Sequence, residues 1–122
     1  MIIGFATPKI EKAVNNASSD NMLEIDRIIR RKKVPCTSEE IIETLDALAA
    51  AETLYDLPTI PFHPHPLSGD KKGMFSVWIN KNKKTRIIFR PDHAEDSAFR
   101  IDNPKTIKRI VVEELCINYH GH

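Results

Sequence analysis

Residues 65–90, HPLSGDKKGMFSVWINKNKKTRIIFR, decide how the chain is read, because a polar loop, two strand-like runs and a one-signed charge follow one another there. Side chains alternate faces along a strand. A strand over 74–80 therefore places Phe75, Val77 and Ile79 on one face and Ser76, Trp78 and Asn80 on the other. The same rule over 84–90 separates Thr85, Ile87 and Phe89 from Lys84, Arg86, Ile88 and Arg90. The polar link Asn80-Lys81-Asn82-Lys83 suits a hairpin loop. The expected unit is an antiparallel ribbon with one apolar side and one side carrying Trp78, Arg86 and Arg90. Lys71, Lys72, Lys81, Lys83, Lys84, Arg86 and Arg90 supply seven positive charges over 71–90, with no acidic residue between them. Cations neutralise phosphate and an exposed aromatic ring stacks on a base, so this side matches single-stranded nucleic acid. The competing reading makes Trp78 a core residue and the lysines a solvated edge that discourages sheet-to-sheet association.

Working outward, 122 residues allow one domain and one core. The net charge of +1 carries no case for a polyanion partner, so that case rests on segregation. Residues 41–60 hold Glu43, Asp46, Glu52 and Asp56 without a base, the reverse of 71–90. Cys36 and Cys116 lack any paired CxxC spacing and read as reduced thiols of a cytoplasmic protein. No apolar run approaches the length of a membrane span, and the start MIIGFATPK has no basic region ahead of its apolar residues. There is no glycine-rich phosphate loop and no internal repeat.

Residues 1–6 read as a strand, with Thr7-Pro8 capping a helix whose stripe is Ile10, Ala13 and Val14. A second helix is expected from about Ser19 or Asp20, with Met22, Leu23, Ile25, Ile28 and Ile29 at helical spacing and a basic C-terminal end. Thr37-Ser38-Glu39-Glu40 is a capping box, opening a helix that runs on Ile41, Ile42, Leu45, Leu48 and Ala49 to about Tyr55. Four prolines make 57–66 an extended connection that delivers His63 and His65 to the ribbon. Residues 92–108 read as a loop or short helix, with Asn103-Pro104 as a breaker and His93 in solvent. A strand from roughly residue 112 places Leu115, Ile117 and Tyr119 on the core face, and Asn118 and His120 beside Arg86. His63-x-His65 and His120-x-His122 have the alternate spacing of strand metal ligands, but no cysteine or carboxylate accompanies them at finger-like spacing, and no metal site is assigned.

Histidines flanking a basic hairpin, an arginine between them and a terminal tyrosine suit a phosphodiester site. Cleavage of RNA through its own 2′-hydroxyl needs a base, a donor for the 5′-oxygen and cations for the developing charge; a metal is not obligatory. An imidazole in water titrates near pH 6.5, and a guanidinium binds phosphate in a bidentate fork.

The order His65-Pro66-Leu67-x-Gly69-Asp70-Lys71-x-Gly73, then Phe75-Ser76-Val77, then Arg86-Ile87-Ile88-Phe89, then Tyr119-His120, resembles the HigB branch of the RelE-like bacterial toxins over roughly residues 40–120. The resemblance implies a single α+β domain over 1–122 with a RelE-like microbial RNase fold, two to three helices packed on a small, mainly antiparallel sheet. It implies a cofactor-free endonuclease acting on mRNA in the ribosomal decoding site, neutralised by a cognate antitoxin, often a helix-turn-helix DNA-binding protein. By matched position, Arg86 would stabilise the scissile phosphate, Tyr119 and His120 would serve proton transfer, and His65 would orient the loop or substrate. RNA contacts would fall to Lys71, Lys72, Trp78, Lys84, Arg90 and Asn118. Three features depart from the pattern: Ser68 replaces a lysine, Asn118 replaces an acid, and 92–108 is longer than the usual connection. They leave a second reading, a RelE-fold binding protein without turnover or an inhibitor of another target such as DNA gyrase.

Overall fold

A computed structural model describes residues 1–18, 21–80, 84–93 and 98–118. In chain order the elements are β1 (Ile2–Phe5), α1 (Pro8–Asn15), α2 (Leu23–Lys32), α3 (Ser38–Ala50), the single turn α4 (Thr59–Phe62), β2 (His65–Pro66), β3 (Phe75–Asn80), β4 (Thr85–Pro91) and β5 (Arg109–Asn118). Short 3-10 turns at Leu54–Asp56, Gly69–Lys71 and Pro104–Thr106 punctuate the connections. Among the described residues the five strands form one sheet in the order β1-β5-β4-β3-β2. The β1–β5 pair is parallel and the other three pairs are antiparallel. This is a small α+β fold with a mixed, mainly antiparallel sheet.

The local signals explain the helices. Thr7 accepts a hydrogen bond from the Ile10 amide at 3.2 Å, with Pro8 at the first helical position of α1. At α3 the capping box forms in both directions: the Glu40 amide donates to Thr37 Oγ1 at 3.1 Å and the Thr37 amide donates to Glu40 Oε1 at 2.9 Å. The helix stops at Ala50, short of Tyr55, which lies exposed in the following 3-10 turn. In α2, Ile25 and Ile28 are buried while Leu23 is 48 % exposed at the first helical position, so the apolar stripe is narrower than its spacing suggests.

One core joins these helices to one face of the sheet. Ala13, Ile25, Ile28, Ile41, Leu45 and Leu48 cluster with Phe75, Val77, Ile87, Phe89, Ile110, Val112 and Leu115. The β3–β4 ribbon has the expected register, with Phe75 opposite Phe89, Val77 opposite Ile87 and Trp78 opposite Arg86. Val77, Ile87 and Phe89 are fully buried, and burying each contributes about 1.5–3 kcal/mol. The opposite face bears Ser76, Trp78, Arg86, Ile88 and Arg90, and neither Trp78 nor Ile88 belongs to that core cluster.

Residues 109–118 form a longer strand than expected, because β5 lies between β1 and β4 and exchanges ladder hydrogen bonds on both edges. The consecutive acids of this strand each meet a cation: Glu113 pairs with Arg90 at 2.5 Å, and Glu114 pairs with Lys32 of α2. Irregularities in the β4–β5 register correct the expected facing of its end. Phe89 opposes Val112, Ile88 opposes Glu114 and Arg86 opposes Ile117. The second shift falls between Glu114 and Ile117, and one inserted residue there reverses Ile117 relative to the core residue Leu115. Ile117, expected in the core, therefore sits across from Arg86, and Asn118 sits across from the buried Thr85. A further irregularity after Trp78 turns Asn80 to the helix side, where its amide donates to Glu40 Oε2 at 3.0 Å.

The connection 92–108 also differs from the expectation. His93 is only 8 % exposed, and its Nε2 accepts from the amides of Lys108 at 2.9 Å and Arg109 at 3.0 Å while its ring stacks on Phe99. It anchors the start of β5 and is no solvated loop residue.

Candidate functional site

The proline-rich connection carries the chain around the edge of the sheet. Phe62 packs against the core, and the next residue, His63, adopts a left-handed conformation with φ of 44°. That turn lays the His63 imidazole on the indole of Trp78, with centroids 4.4 Å apart and planes at 27°. His65 follows in β2, paired with Ser76, and its ring stacks on His63 at 5.9 Å. From β4, the Arg86 guanidinium carbon lies 5.8 Å from the Trp78 centroid, and Nη1 donates to Ser76 Oγ at 3.4 Å. Four elements thus converge on one stack of two imidazoles, an indole and a guanidinium, on the face of the sheet opposite the core.

Burial gives the stack its chemistry. Ser76 and Ile88 are fully buried on that face, while Trp78, Arg86, His63 and His65 are half-buried. The Trp78 Nε1 donor is buried without a partner among the described residues, a state that costs about 1–3 kcal/mol and favours any acceptor brought to it. Arg90 lies further along the same face with its Nε on Glu113, so its charge is largely offset locally. Arg86 is the cation built into the stack itself, with aromatic rings alongside.

The lysines sit at the two ends of this face. Lys71 and Lys72 belong to the loop before β3, where Gly69 at φ of 67° and Gly73 at φ of 93° take backbone conformations that other residues rarely adopt. Those angles explain the glycine spacing in HPLSGDKKG. Lys84 is exposed at the start of β4, beyond Arg86. Six residues of β3 separate the two ends, about 17 Å at the rise of a strand.

The structure therefore gathers His65, Trp78 and Arg86, keeps Arg90 on the same face in an ion pair, and distributes Lys71, Lys72 and Lys84 around the rim. Asn118 is turned toward Thr85, away from the stack. Tyr119, His120, Lys81 and Lys83 lie outside the described residues. His63 of the stack and Ser76 beneath Arg86 are not assigned from sequence. His63 was weighed only as a metal ligand, although its place in the connection already directed it to the ribbon; among the described residues no group of three His, Cys, Asp or Glu side chains is arranged to hold a metal. Ser76 was recognisable as the residue alternating with Trp78, but its contact with Arg86 depends on the register of two strands.

Trp78 occupies the expected face, yet His63 covers part of its indole. A base reaching this site would meet the imidazole layer or displace it. No protein-family model matches the chain, and no curated protein matches it. No helix among the described residues is long and apolar enough to cross a membrane.

Proposed function

We propose that this protein is a RelE-like, HigB-type toxin of a toxin–antitoxin pair, a cytoplasmic endoribonuclease that cleaves mRNA held on the ribosome. The observation that carries the reading is the Arg86–Trp78–His63–His65 stack on the face of the sheet opposite the core. The sequence pattern of the glycine loop, the ribbon and the Tyr119-His120 tail supports it. Arg86 would hold the scissile phosphate and offset the charge that grows on its oxygens as the 2′-hydroxyl attacks. His120, with Tyr119, would exchange protons with the attacking and leaving oxygens, and His65 would orient the strand. Lys71, Lys72, Lys84 and Arg90 would attract the RNA backbone from either end of the face. Asn118 would act through its neighbours at the end of β5. The partner would be an antitoxin that covers this electropositive face.

Expression of the wild-type protein should arrest growth and create new mRNA 5′ ends within codons, while Arg86→Ala should restore growth and remove those ends with an unchanged circular-dichroism spectrum. An Arg86→Ala protein that folds and cleaves at the wild-type rate refutes the assigned site. The second reading, a protein of the same fold that binds without turnover, is favoured by Ser68, by Asn118 facing away from Arg86 and by the imidazole already seated on Trp78. It predicts growth arrest, or RNA binding, without new 5′ ends.

A further inference from the structure

Cys36 and Cys116 stand 80 positions apart in sequence, yet their side chains are in hydrogen-bond contact. Two packing events bring them together. Lys32, at the end of α2, forms an ion pair with Glu114 of β5, and the left-handed residue Lys33, φ of 55°, then turns the chain back over the strand. Val34 is buried beneath that turn, and Cys36 follows it immediately before the cap of α3. Cys36 is half-buried, whereas Cys116 is fully buried in the core. A surface cavity of about 490 Å³ lined by Asp26, Ile29, Arg30, Cys36, Thr37, Ser38 and Glu39 opens onto Cys36. One thiol therefore faces a space large enough for a small oxidant, and the second waits behind it. The hydrogen bond from Cys36, with help from Lys32, holds the Cys116 thiol below its ordinary range against the opposing effects of burial and Glu114.

We propose that Cys36 and Cys116 form a reversible oxidative modification site that hydrogen peroxide converts to an intramolecular disulfide. The Cys36 thiol passes its proton to the Cys116 thiolate it is bonded to and its sulfur attacks a peroxide oxygen; the S–O bond forms, the O–O bond breaks, and the leaving hydroxide takes the proton back from Cys116 to become water. The Cys116 thiolate then attacks the Cys36 sulfur, forming the S–S bond and expelling the sulfenic oxygen as a second water. The two thiols lose two electrons and two protons, and one peroxide becomes two waters. The bond joins the turn before α3 to β5 two residues ahead of Asn118. This site requires neither RNA nor the proposed cleavage.

The test uses the reduced full-length protein and hydrogen peroxide. Peptide mapping without reductant should show a peptide linking Cys36 to Cys116, an intact mass lower by two hydrogens, and return to the starting mass with dithiothreitol. In urea, where the unfolded chain separates the thiols, the linked peptide should form more slowly by about ten-fold, because the fold supplies the effective concentration. Cys116→Ser should stop at a sulfenic acid on Cys36 that a 1,3-dione traps. The oxidised wild-type protein should also unfold at a higher temperature than the reduced one. Oxidation of wild-type Cys36 onward to sulfinic acid, a disulfide between two molecules, or equal rates in the folded and unfolded chains overturns the proposal. The wild-type measurements decide it whether or not the variant folds.

Discussion

Arg86→Gln isolates the charge at the centre of the stack. The Arg86 guanidinium lies 5.8 Å from the Trp78 ring and donates to Ser76 at 3.4 Å, so the substitution removes one cation while glutamine keeps part of the side chain's length. A charge-assisted hydrogen bond to phosphate contributes about 1.5–3 kcal/mol, equivalent to a loss of about ten- to 150-fold in RNA affinity. One fewer neutralised phosphate should also lower the slope of log affinity against log salt by about 0.7 for a single strand. Arg90 provides the internal control. Its Nε is 2.5 Å from Glu113, so the double change Arg90→Gln with Glu113→Gln removes no net charge and should lower the slope less than Arg86→Gln does. Fluorescence anisotropy with a labelled single-stranded RNA, titrated across a salt series, measures both quantities. An Arg86→Gln protein with wild-type affinity and wild-type slope, or a larger slope change in the Arg90 and Glu113 double variant, refutes the assignment of Arg86 as the principal phosphate contact.

Two further predictions concern the scaffold that holds this face. Ile87→Ala should destabilise the protein by about 2–5 kcal/mol in urea unfolding, because Ile87 is fully buried in the core beneath Arg86; a change below about 0.5 kcal/mol would place it on the surface and reverse the faces of the ribbon. His93→Ala strands the amides of Lys108 and Arg109 at the start of β5 and should cost about 2 kcal/mol or more, read as a lower denaturant midpoint; a fully stable variant would show that the imidazole does not anchor that strand.

Much of the molecule comes from local rules that act on neighbours in the chain. The caps at Thr7 and Thr37 depend on residues within three positions, and both form. The ribbon is equally local: alternation separates Phe75, Val77, Ile87 and Phe89 from Trp78, Arg86 and Arg90, and a short hairpin leaves little choice of partner. Its polar face, with Arg86 beside Trp78, was legible for that reason.

The remainder depended on meetings between distant segments. Inserted residues between β4 and β5 turned Ile117 toward Arg86 and Asn118 toward Thr85, and no alternation count reveals where a strand will slip against its partner. His93 looked like a solvated loop residue until the amides that open β5 supplied it with partners fifteen and sixteen positions away. His63 acquired its place only when the chain turned the sheet edge onto Trp78, and Cys36 met Cys116 only once α2 docked on β5. The residue types and local periods established which groups were available and which face of the ribbon would be polar. Tertiary packing decided which of them touch, because contacts across tens of residues are set by the register and docking of whole elements.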